Sequence, residues 1–254
     1  MTVVVLVADV PHPGVLPDLV ATTPIDGTAA VALYRAALAD TVRAVADSGG
    51  DLLVNYPAPD DAPVDDPERR LRALVAEALE DRDADPRFEV RAGSSFTAHV
   101  GNAVTHLLRD EDVTSAAALR PDVPLVDRTL IDEAAMKLRR SPVVLAPAEG
   151  GRIAYAGFAE PIDFTGAYTP PAVETTVDRA GDAGHEADFV EQVPTIRSAS
   201  GVATTVATVR ARDRAGLRVP TDTIDAIEDL GLRVTERDGE PTIESRRRPD
   251  EESR

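Results

Sequence analysis

RPDVPLVDRTLIDEAAMKLRRSPVVLAPAEGGRIAYAGF, residues 120–158, holds the densest run of folding signals in the chain. A stretch of small residues, VTSAAAL (113–119), precedes it and predicts a buried strand. Pro121 and Pro124 then break the strand and hold Asp122 in a rigid loop. A helix is predicted from about Asp127 to Arg140. PVVLAPAEGGRIAYAGF (142–158) reads as two strands about the Gly150-Gly151 break.

The flanking sequence repeats this alternation. Residues 2–8 are an almost continuous β-branched run, expected of a strand buried on both faces. A long loop, 9–27, follows with Pro11, Pro13, Gly14, Pro17, Pro24 and Gly27. Leu33, Tyr34, Ala37, Leu38, Thr41, Val42 and Val45 recur at helical spacing and stop at Gly49-Gly50. DLLVNY (51–56) is the next predicted strand, and YPAPDDAPVDDP a surface loop. Asp66 is expected to cap a helix that has Pro67 in its first turn. RFEVRA (87–92) predicts a strand, 95–109 a helix, about 171–180 a helix, FVEQV (189–193) a short strand and 201–212 a helix. Such alternation predicts a mostly parallel sheet with helices on both faces. Ligands then bind beyond the carboxyl ends of strands, in loops 9–27, 57–66, 120–126 and 147–151.

Beyond Gly216 a short helix (222–230), a strand LRVTE, an Asp238-Gly239 turn and a strand PTIES are expected. The expected organisation is a main domain of residues 1–215, a helix and hairpin appendage at 216–245, and a disordered charged tail at 246–254.

Composition narrows the function classes. Formal net charge is −18, with 45 acidic against 27 basic residues, and Lys137 is the only lysine. Such a carboxylate surface suits a high-salt cytoplasm, where self-repulsion is screened, and the use of Arg over Lys also suits the drift of a GC-rich genome; the two are expected to act together. It argues against nucleic acid as a partner, since phosphate backbones need a basic footprint. The absence of cysteine excludes disulfides, thiolate zinc sites and thiol catalysis. The N-terminal run TVVVLVA is too short for a signal peptide or a span, so a soluble cytoplasmic protein without membrane contact is expected. No P-loop, GxGxxG, HExxH or GxSxG motif is present.

Two carboxylates stand out. Asp122 could ligate a metal or hydrogen-bond a ribose; its alternatives are a cap for the helix near Asp127 or a solvated turn. Glu149, before the glycine pair, could face the same cleft, or belong to a simple hairpin. His99 and His106 are seven apart on a predicted helix with no third ligand in view, which favours solvated or half-buried roles.

The ordered segments resemble a largely uncharacterised family of small glycosyltransferase-A-like proteins in the nucleotide-diphospho-sugar transferase superfamily. The resemblance spans roughly residues 3–210, anchored on VADVPHPG, LYRAALADTVRAV, the 121–158 stretch and VEQVPTIRS. It implies a Rossmann-like, mixed, mostly parallel sheet of the glycosyltransferase-A type that holds a nucleotide or nucleotide-sugar near its first strand. Ala8, Asp9, Gly14 and Asp122 would bind the nucleotide. Asp122 would ligate Mg²⁺ or Mn²⁺, and Glu149 would assist catalysis. The departures from the family pattern matter equally. The basic run expected after Pro-Gly is Pro17, Asp18 and Leu19 here, and the late acidic pair is Ser198 and Ser200. The expectation is therefore a glycosyltransferase-like protein with a weakened or altered metal and diphosphate site. A non-catalytic binding or assembly module and a nucleotidyltransferase are the alternatives. Oligomeric state is not legible in the sequence.

Overall fold

The structure is a computed structural model that describes residues 2–237 and 239–245. The expected tail at 246–254 and Asp238 of the expected turn lie outside the described residues.

Among the described residues the central sheet has seven strands: β1 (Thr2–Val7), β2 (Asp51–Tyr56), β3 (Arg87–Val90), β4 (Ser115–Leu119), β5 (Val143–Pro147), β6 (Ile153–Phe158) and β7 (Ala187–Phe189). Their order across the sheet is β3-β2-β1-β4-β6-β5-β7. Only β6 runs antiparallel to its neighbours, β4 and β5. The carboxyl ends of the other six strands therefore share one edge. The chain winds outward from β1 to β3, then returns to β4 on the other side of β1. The switch in winding direction thus lies between β1 and β4, where a ligand crevice is expected.

The helices are α1 (Pro17–Thr22), α2 (Gly27–Ala46), α3 (Pro67–Ala78), α4 (Phe96–Arg109), α5 (Arg128–Lys137), α6 (Ala172–Asp182), α7 (Ala199–Arg214) and α8 (Thr221–Asp229). The apolar run of β1 divides between the faces of the sheet, as strand alternation requires. Val4 and Leu6 join the core formed with α2, α3 and α5. Val3, Val5 and Val7 join the core beneath α4 and α6.

A third core lies beside the sheet. Leu16 and Leu19, with Leu33 and Tyr34 of α2 and Val202 and Val206 of α7, enclose Ile227, Leu230, Leu232 and Ile243. The last four belong to α8 and to the hairpin β8 (Leu232–Arg237) and β9 (Glu240–Ser245) or to the turn between α8 and β8. Segment 216–245 is also tied down by polar contacts. Asp40 of α2 accepts the backbone N–H groups of Asp222 (3.2 Å) and Thr223 (2.8 Å) at the start of α8. Arg43 bridges Asp40 and Asp222.

Three local expectations change. Asp66 precedes α3, but its backbone is left-handed (φ 57°) and its side chain makes no cap; it pairs with Arg69 instead. The last strand of the sheet lies at Ala187–Phe189, not 189–193. Val190 and Val193 still donate to Leu145 and Pro147 as the chain leaves the sheet. The loop 9–27 contains α1, begun by Pro17 and buried through Leu19. No helix among the described residues is long and apolar enough to cross a membrane.

Candidate functional site

A cleft of about 310 Å³ opens at the shared carboxyl edge, against the ends of β1, β3 and β4. Its first wall is the loop after β1. Ala8 continues the ladder by donating to the Asn55 carbonyl at 3.0 Å. The Tyr34 hydroxyl, reaching up from α2, accepts the Asp9 N–H (3.0 Å) and donates to the Asp9 carbonyl (3.3 Å). Both backbone groups of Asp9 are thereby satisfied by one phenol, which burial keeps protonated by pushing its pKa up. Two residues before Gly14, the His12 ring folds back so that Nδ1 accepts the Gly14 N–H at 2.9 Å. A Cβ at Gly14 would sit 2.7 Å from His12 Cε1, so glycine is required for that fold-back.

The second wall is the start of α4. Arg91 extends β3 by donating its N–H to Tyr56 at 2.8 Å, and its side chain pairs with Asp9 at 2.7 Å. Ser94, Ser95 and Phe96 follow, and Ser95 caps α4 by accepting the Ala98 N–H. The positive end of this 14-residue helix therefore borders the cleft. His99, one turn into α4, lines the cleft too, with Nδ1 3.2 Å from the Ala92 carbonyl. Burial lowers its pKa, which favours the neutral ring at pH 7. His106 is elsewhere, exposed beside Asp110.

The floor is the loop after β4. Asp122 is 1% exposed. Its Oδ2 accepts from Arg120 Nε (3.2 Å) and from Arg197 Nη1 (3.0 Å). Burial alone would raise the Asp122 pKa; Arg120 and then Arg197 outweigh it and hold the carboxyl below its ordinary range. The Arg120 guanidinium also stacks 4.0 Å above the Phe96 ring, whose edge meets Tyr168.

Arg197 arrives from the loop before α7, and Glu149 holds that loop. Glu149 accepts from the Thr195 N–H (3.0 Å), the Thr195 hydroxyl (2.7 Å) and the Ser198 hydroxyl (2.9 Å). Ile196 meanwhile donates to the Asp122 carbonyl at 2.9 Å. Ser198, standing where the resemblance implies an acidic residue, caps α7 by accepting the Gly201 N–H.

Of the residues singled out in sequence, Asp9, Gly14 and Asp122 line the cleft. Ala8 is buried in the core below it. Glu149 stands outside the lining and touches the site through the 195–198 loop. Sequence reasoning did not foresee Arg91 or Arg197. Arg91 could have been found, because it directly follows a strand of the parallel set. Arg197 lies inside VEQVPTIRS, a stretch that the resemblance marks, but nothing in its spacing points it at the loop after β4.

The side chains present do not fit a divalent cation. Mg²⁺ and Mn²⁺ want several oxygen ligands. One Asp122 oxygen is shared by two guanidinium groups, the other is buried without a partner among the described residues, and an Asp9 oxygen is taken by Arg91. Among the described residues no group of three His, Asp or Glu is placed to hold a metal.

No protein-family model matches the chain, and no curated protein matches it in sequence. Solved structures do match. One is a "putative nucleotide-diphospho-sugar transferase" from Desulfovibrio desulfuricans G20, with TM-score 0.72 and 15% identity, covering 91% of this chain and 95% of that one. Another is a cytidylyltransferase from Leptospira borgpetersenii serovar Hardjo-bovis, with TM-score 0.50 and 8% identity, covering 90% and 94%. The agreement extends over nearly the whole length of both chains, and the chain has the Rossmann-like α/β fold of the nucleotide-diphospho-sugar transferases.

Proposed function

We propose that the cleft binds the nucleoside diphosphate of a nucleotide-sugar and that the protein transfers the sugar to an acceptor hydroxyl. The observation that carries this reading is the convergence of Arg91, Arg120 and Arg197 on one cleft, beside the N-terminal end of α4, in a chain of net charge −18. Such a concentration of guanidinium groups suits a diphosphate. Gly14 would lie along the base and ribose, with Ala8 fixing the strand end beneath, while Asp9, paired with Arg91, would face the diphosphate and the sugar beyond it.

In the transfer, the acceptor oxygen bonds to the anomeric carbon as the bond from that carbon to the diphosphate oxygen breaks. The electron pair leaves with the nucleoside diphosphate, and the guanidinium groups stabilise the charge that develops there. Asp9, 48% exposed at its side chain, is the carboxylate of the cleft that an acceptor can reach, and it takes the hydroxyl proton. Asp122 and Glu149 serve by holding Arg120 and Arg197.

A non-catalytic binding module is the second reading. It is favoured by the full engagement of Glu149 with Thr195 and Ser198. One experiment separates the readings: a panel of nucleotide-sugars with simple acceptors, in molar KCl, followed for release of nucleoside diphosphate. Release that is lost in Asp9→Asn while binding persists supports transfer. Binding without release of any product supports the module. Extending the panel to nucleoside triphosphates with phosphorylated acceptors tests the nucleotidyltransferase alternative, which release of pyrophosphate would favour.

A further inference from the structure

Neutralising a diphosphate is the central electrostatic problem of a nucleotide-sugar site. We infer, resting on the nucleotide reading above, that Arg120 and Arg197, tethered through Asp122, stand where a divalent cation would act, so that the cleft takes its diphosphate without metal.

Three observations carry this. The first is the donor supply. A guanidinium has five N–H donors. Among the described residues, the side chains of Arg91, Arg120 and Arg197 each spend one N–H group, on Asp9, Asp122 and Asp122 respectively. The rest of each fork is uncommitted, and two guanidinium groups side by side can each grip a phosphate in two-pronged fashion.

The second is rigidity. These side chains are only 18–26% exposed, so little of their length is left to wander in solvent. Arg120 is fixed from one side by Asp122 and across its face by Phe96. Arg197 is fixed by Asp122 and by the loop that Glu149 clasps. A charge held in place before the ligand arrives costs little to organise on binding.

The third is the acidic residue itself. Asp122 is committed to two cations and kept ionised by them. Binding a metal there would require evicting at least one guanidinium into a cleft that already holds three. The carboxylate is therefore a bracket for the arginine pair.

The test uses the intact protein in molar KCl, with UDP, CDP, GDP and ADP as probes, each in excess EDTA and in excess MgCl₂. Calorimetric titration and thermal shift are the readouts. The expected result is binding by at least one diphosphate, with equal affinity and an equal rise in Tm in the two buffers. Arg120→Gln and Arg197→Gln should each weaken that binding by roughly tenfold or more in EDTA. Far-UV circular dichroism of the unliganded variants would establish that they fold; for a variant that does not, the wild-type comparison of buffers decides alone. Binding seen only with MgCl₂ overturns the inference and leaves the nucleotide reading standing. No binding by any diphosphate in either buffer overturns that reading, and this inference with it.

Discussion

Arg197 Nη1 lies 3.0 Å from Asp122 Oδ2, across 75 positions of sequence. The contact joins the loop before α7 to the loop after β4, and a second guanidinium, from Arg120, shares the same oxygen. Asp122→Asn should therefore leave two cations facing each other with no anion between them. Because both arginines are about a quarter exposed, the expected loss is roughly 2–3 kcal/mol, below the range for a fully buried pair. Denaturant unfolding in fixed salt measures it. A loss of a few tenths of a kcal/mol would show that solvent already screens the cluster.

Acid should weaken the protein through the same residue. A carboxyl whose folded pKa is depressed stabilises above the unfolded value, about 3.9, and that stability disappears as pH falls through the folded value. Asp40 works in the opposite sense. Burial raises its pKa, so its ionised form is a cost that acidification relieves. In Tm measured against pH from neutrality downward, Asp122→Asn should flatten the acid limb and Asp40→Asn should steepen it. Identical limbs in both variants would refute the opposition.

Glu149 lies outside the cleft, yet Glu149→Ala should weaken diphosphate binding about tenfold, because three hydrogen bonds holding the Arg197 loop vanish. Glu149→Gln keeps one acceptor oxygen and should fall between alanine and wild type. Titration of both variants checks this ordering. A purely structural role would lower Tm in both and leave affinity unchanged.

Gly201→Ala tests the same loop by crowding it. The added Cβ would stand 2.0 Å from the Thr195 carbonyl and 2.6 Å from Glu149 Oε1. Backbone must move to relieve this, at about 3 kcal/mol. Thermal unfolding should show a clear drop, against the usual gain for glycine to alanine in a helix. An unchanged Tm would mean that the 195–198 loop is free to shift.

Removing residues 216–254 should cost the fold itself. Ile227, Leu230, Leu232 and Ile243 leave the third core, at about 1.5–3 kcal/mol for each side chain. That approaches the whole stability of a domain, about 5–15 kcal/mol. The truncated chain 1–215 is expected to lose cooperative unfolding by calorimetry. A sharp transition near that of the full chain would show 1–215 to be an independent unit.

Much of the sheet could be read from the chain because its signals are local. The β-branched run at 2–8, the Gly49-Gly50 stop and Pro67 at a helix start each act within a few residues. The mixed sheet itself followed from resemblance, while periodicity could not place β6 between β4 and β5, since strand order is decided by distant partners. Asp66 failed as a cap because its left-handed backbone steers the carboxylate toward Arg69. The site was half legible. Asp9, Gly14 and Asp122 stand beside proline-bounded strand ends, which the sequence advertises. The positive charge does not sit in the first loop, where the family pattern would place it. It comes from Arg91, Arg120 and Arg197, three segments that only the folded topology assembles. Counting charge along the chain could not reveal it.

The strand order also bears on synthesis. Translation delivers β1 well before its second neighbour, β4, which begins only at Ser115, and the cleft gains its last guanidinium only when residue 197 emerges. A nascent chain on the ribosome thus carries an apolar strand with one flank open for more than a hundred residues. The pairing that closes it is long-range and correspondingly slow. A dense shell of carboxylates keeps such incomplete chains hydrated while that flank waits, so the acidity of this protein serves its unfinished copies as well as its finished ones.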